Sequence, residues 1–161
     1  MDQVTTANDK RIWTEADFEG MSWHDNHVHG LGIRSGEYGS GELILDLDHI
    51  LEWLCPVADF FQFRIAPATL TFREVTNLRI DIDYAAATAA LVPFSIADIR
   101  RESCQYPGGA TGCRWVIAVN WPPGSISFDA TGFTQVLRGP VKLTSEQCLD
   151  PAERAEAAHN S

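Results

Sequence analysis

Residues 23–29, Trp23-His24-Asp25-Asn26-His27-Val28-His29, hold three of the chain's five histidines. Side chains alternate between faces on an extended strand, so His27 and His29 share one face with Asp25. Two imidazoles two residues apart sit about 7 Å from each other at Cα and can both reach one metal ion. Asp46, Asp48 and His49 fall on the next expected strand. If the two strands form a hairpin, Asp46 and Asp48 lie opposite His27 and His29. Asp81 and Asp83 offer a third polar row. Two histidines with several carboxylates suit a divalent metal ion such as zinc, manganese or non-haem iron. The metal reading therefore rests on His27, His29, Asp46 and Asp48.

A plainer reading competes with it. An antiparallel sheet with one wet face needs polar residues at alternate positions. Histidines also pair with cross-strand aspartates without any metal. The spacing HxxHxH matches no metal motif with a defined fold context. The solvated face is therefore the default, with no cofactor required, and acid–base catalysis at the cluster is a third reading.

Charge is the second signal. Lys and Arg number 12 and Asp and Glu 22, a formal net charge of −10. Nucleic acid and anionic membrane surfaces repel such a chain, so neither is an expected partner. Glu42, Asp46, Asp48 and Glu52 share one side of an expected strand with no Lys or Arg between them, and Asp81 and Asp83 are expected to adjoin. Like charges placed together destabilise a free fold. A basic partner, a cation such as calcium, or the arginines Arg34, Arg73 and Arg79 can offset that repulsion. Nucleophile and phosphate signatures are missing: there is no GxSxG elbow, P-loop or GxGxxG.

The elements that must position these groups have a period of two. Residues 42–53 put Leu43, Leu45, Leu47, Leu51 and Trp53 on one face, and Glu42, Ile44, Asp46, Asp48 and Glu52 on the other. Residues 77–84, 113–121 and 124–130 alternate in the same way. Residues 23–33, 60–65, 69–72 and 133–137 complete about eight short strands. Turns are expected at 35–41, 106–109, 121–124 and 130–132, where Gly and Pro supply the backbone angles. Pro56 and Pro67 mark edges or bulges. Residues 83–90 are the one internal helix candidate, and 95–101 are ambiguous. The fold expected is all-β or β-rich α+β, an antiparallel sandwich or curved open barrel with a short C-terminal helix.

At 161 residues the chain fits a single domain. Residues 1–20 read as an irregular lead with one turn capped by Thr14. Residues 21–143 form the β domain, and 144–161 a polar tail. In the tail, Asp150 caps a helix that has Pro151 at its first position and almost no apolar face. No apolar leader or membrane-length run is seen, so a soluble, cytoplasmic protein is expected. Cys55, Cys104, Cys113 and Cys148 form no CxxC pair and are expected as free thiols, with a Cys104–Cys113 disulfide across a hairpin as the alternative.

Trp23-His24-Asp25, the strand 42–53 and the segment 70–80 together resemble small bacterial β-rich proteins, some of them grouped with the immunity proteins of polymorphic toxin systems. The resemblance spans residues 22–138. It implies a β-rich binding protein whose acidic surface meets a basic toxin. The sequence as a whole reads as a non-enzymatic acidic β domain that binds a basic protein through Glu42, Asp46, Asp48, Glu52, Asp81 and Asp83. The alternatives are the metal-dependent site and a homo-oligomer joined through exposed strand edges.

Overall fold

The computed structural model describes residues 9–105, Gly108 and 111–159. Ten strands follow one another: β1 (Ile12–Thr14), β2 (His27–Ser35), β3 (Gly41–Val57), β4 (Phe60–Arg73), β5 (Thr76–Ile82), β6 (Phe94–Gln105), β7 (Thr111–Trp121), β8 (Gly124–Ala130), β9 (Gly132–Leu137) and β10 (Lys142–Thr144). Among the described residues the one α-helix is α1 (Pro151–His159), which follows β10. All pairings are antiparallel and join the strands into one sheet in the order β1-β9-β4-β3-β2-β6-β7-β8-β5, with β10 beside β4.

The sheet curls without closing into a barrel. Phe72 of β4 and Trp115 of β7 stand four places apart in the strand order, yet their rings meet edge to face at 5.2 Å. Phe128 and Phe133 pack on Phe72 at 4.6 and 5.7 Å. This aromatic centre is fully buried together with Leu43, Leu45, Leu47, Leu70, Ile96, Ile117 and Ile126. These are the apolar positions of the alternating strands, and removing their area from water is the main term holding the curl. Beyond His27 and Val28, β2 no longer pairs with β6. The opening there holds an apolar cleft lined by Leu31, Ile80, Ile82, Tyr84 and Leu91.

Several elements differ from their expected form. Residues 83–90 make turns instead of a helix, with Asp83 accepting from the Ala85 N–H at 2.9 Å. Residues 95–101 belong to β6. Pro67 lies inside the interior strand β4, but where the pairing on one side passes from β10 (residues 63–65) to β9 (residues 68–73). The missing proline N–H removes no ladder bond from that gap. Pro56 falls at the irregular register near the tip of the β3–β4 hairpin. Cys113 is a free thiol and pairs across the β6–β7 hairpin with Ser103, while Cys104 stands opposite Gly112. That one-residue offset removes the basis for a Cys104–Cys113 bridge. The side chain of Cys104, the turn at 106, 107, 109 and 110, and the first eight residues of the lead lie outside the described residues.

The lead and the tail both join the sheet. β1 pairs with β9, and Thr14 caps a six-residue 3-10 helix (Glu15–Gly20) in a reciprocal box with Asp17. In the tail, Asp150 accepts from the Glu153 N–H at 2.8 Å and caps α1. Leu149 is buried with Ile50, Phe63 and Ile65 in a small second core on the outer face of β3 and β4. No helix among the described residues is long and apolar enough to cross a membrane.

Candidate functional site

The tail creates the most structured polar site on the molecule. Along β3, alternation holds through Leu47. The strand then continues beneath residues 148–154, so Asp48 is buried on what would otherwise be the wet face. β2 carries one extra residue between the pairs Val28–Leu47 and Gly30–Asp46. The extra residue is His29, and such a bulge re-aims its side chain. The His29 Nε2 lies 2.6 Å from Asp48 Oδ2. The Leu149 N–H donates to the same oxygen at 2.8 Å. Arg154 on α1 reaches across and donates to Asp48 Oδ1 and to Asp46 Oδ1. Cys148 Sγ stands 3.7 Å from His29 Nε2. A cleft of about 480 Å3 opens beside the cluster, lined by His29, Asp46, Pro67, Arg138, Arg154 and Ala155.

This geometry does not form a nucleophilic relay. A thiol activated by a histidine and oriented by a carboxylate needs its two partners on opposite ring nitrogens. Here Cys148 and Asp48 both face Nε2. Burial, followed by the negative charge of Asp48, pushes the Cys148 thiol up to about 11. At neutral pH it carries its proton and is a poor nucleophile.

Among the described residues, His29, Asp48 and Cys148 are the set whose ligand atoms converge, all within 4.8 Å of one another. Of the residues expected to hold a metal, the structure brings His29 and Asp48 into that set. His27 turns away, its Nδ1 bonded to the Asp25 carbonyl at 3.0 Å. Asp46 is taken by Arg154. Cys148 and Arg154 were not singled out by the sequence. The available signal was that Arg154 is the sole Lys or Arg after Lys142, in a tail otherwise rich in acids.

Each acid of the β3 row has an arginine partner within the chain. Glu42 pairs with Arg34 at 3.2 Å, Glu52 with Arg64 at 3.3 Å, and Asp46 and Asp48 with Arg154. Asp81 lies on β5, at the far end of the strand order from β3, and Asp83 follows that strand. β5 is not a hydrogen-bonded neighbour of β3, so these two acids do not lie on a strand adjoining the row.

A different surface stands out instead. The β3–β4 hairpin projects Trp53, Val57, Phe60 and Phe61 into solvent, at 43, 66, 49 and 51% exposure. Trp53 is held between the His24 ring at 5.9 Å and Phe63 at 4.9 Å, with Phe61 edge-on at 6.3 Å. Leu51 still packs against the main core, but the expected inward phase of Trp53 fails because the register slips between Ile50 and Glu52. One irregular residue moves every later side chain to the other face. From 49 to 63 the chain carries Glu52 and Asp59 and no Lys or Arg.

Compared with models of protein families, with curated proteins and with solved structures, the chain matches none.

Proposed function

We propose that this protein binds another protein, one with a basic surface, through the tip of its β3–β4 hairpin. The observation that carries this reading is the exposure of Trp53, Val57, Phe60 and Phe61 on one projecting element. Aromatic anchors surrounded by polar residues mark interface centres. The charge at the tip is negative, with Asp59 in the turn and −10 on the whole chain. Such a field speeds encounter with a cationic partner and makes association salt-sensitive. It also opposes insertion of the same aromatic tip into an anionic membrane. The resemblance to immunity proteins gives the reading its specific form, a β domain that caps a basic toxin.

The test compares the wild-type chain with a Phe60→Ser/Phe61→Ser variant as bait in extract of the source cells at low and high salt. The proposal expects one basic protein captured stoichiometrically by the wild type at low salt, lost at high salt and lost in the variant. Both rings are half exposed, so the variant should melt close to the wild type. Equal capture by both chains, or no reproducible basic protein, overturns the proposal. A concentration-dependent dimer of the wild type that the variant cannot form would make the occupant a second copy.

A further inference from the structure

We propose that His29, Asp48 and Cys148 form a zinc site that fastens the C-terminal tail to strand β3. This inference does not depend on the hairpin surface. An imidazole, a carboxylate and a thiol converge here from segments 19 and 100 residues apart. That mixture selects a borderline-soft cation over calcium or magnesium, which take oxygen ligands.

The distances suit the ion. Tetrahedral zinc, with bonds of about 2.0 Å to nitrogen and about 2.3 Å to sulfur, holds those two ligands roughly 3.5 Å apart. Cys148 Sγ and His29 Nε2 are 3.7 Å apart. The His29–Asp48 separation of 2.6 Å is that of a hydrogen bond. It must widen to about 3.3 Å when a metal replaces the proton of that bond.

The surroundings already supply the outer contacts a zinc carboxylate needs. Arg154 occupies Oδ1 of Asp48 and leaves Oδ2 turned toward His29 and Cys148. Ligating carboxylates held in this way keep their orientation. Charge balance points the same way. Asp46, Asp48 and Arg154 leave the cluster one negative charge in excess. Binding Zn2+ releases one proton from the Cys148 thiol and moves the imidazole proton from Nε2 to Nδ1. The two positive charges of the ion and the new thiolate then bring the sum to zero. His29 also lines the cleft beside Arg138, which gives an ion held by these residues a path from solvent.

The experiment adds one equivalent of Co2+ to metal-depleted protein and records the near-ultraviolet spectrum. A thiolate-to-cobalt band is expected in the wild type, in Cys55→Ser and in Cys113→Ser, and none in Cys148→Ser. His29→Gln should weaken Zn2+ binding at least tenfold in competition with a chromophoric chelator. Alkylation mapped by mass spectrometry needs no variant and covers a failure of Cys148→Ser to fold. Under alkaline conditions in which the metal-free protein labels at Cys148, Zn2+ should protect Cys148 and leave Cys55 as reactive as before. Absence of the band in the wild type, its survival in Cys148→Ser, or equal labelling of Cys148 with and without Zn2+ overturns the site.

Discussion

Acid should destabilise this protein through His49, and the amount can be worked from its surroundings. His49 points inward from β3 and is buried. Its Nδ1 lies 2.9 Å from Asn26 Nδ2. The Asn26 amide cannot flip freely, because its Oδ1 accepts the Ile50 N–H at 3.2 Å. The NH2 group therefore donates to His49 Nδ1, which must be unprotonated. Trp13 closes one side of the ring at 5.2 Å. The charges that share its cleft, Asp9, Lys10, Glu52 and Arg64, include both signs, and Arg64 is ion-paired to Asp9 and Glu52. Burial alone holds the His49 imidazolium down to about 4, against 6.5 for a free histidine. Between those values the unfolded chain binds a proton that the folded chain refuses. Stability is full above pH 6.5 and falls as the pH drops through the window to about 4. At about 1.4 kcal/mol per unit, the loss is about 3 kcal/mol, a large part of a typical domain's stability. Urea unfolding of the wild type and His49→Gln at pH 7.5 and pH 4 isolates the effect, because the other titrating groups are common to both chains. The free-energy gap between the two should change by about 3 kcal/mol in favour of the variant on acidification. Parallel pH dependences would refute the reasoning.

Two further outcomes follow from named contacts. Arg154→Met leaves the fully buried Asp48 carboxylate without its cation and should cost about 3 kcal/mol in chemical unfolding. An Arg154→Met/Asp48→Asn double change should recover part of that loss, and additive effects would show that the pair is not coupled. Gly124→Ala places a Cβ against the Asp81 carbonyl and 2.7 Å from Ile82 Cα, at the β5–β8 junction. Overpacking of this kind costs about 2 kcal/mol, and hydrogen exchange should rise along β5 before the rest of the sheet.

The alternating rhythm of the chain was enough to establish an antiparallel, curved β fold, because one buried face needs nothing beyond local periodicity. Leu43, Leu45 and Leu47 went to the core as the pattern required. So did the local capping chemistry of Thr14 and Asp150, since a cap is made by neighbours in sequence. The pattern lost its force where the register slipped. A single irregular residue near Leu51 carried Trp53 out to solvent, and the bulge at His29 turned that ring toward Asp48. Whether Asp48 would be wet or buried depended on a segment 100 residues later folding across it. The pairing of the β3 acids with Arg34, Arg64 and Arg154 likewise depended on which strands and tail became neighbours. Alternation is a local property and is written in the chain. Strand register and the docking of the tail are long-range choices, and they decide which polar groups meet.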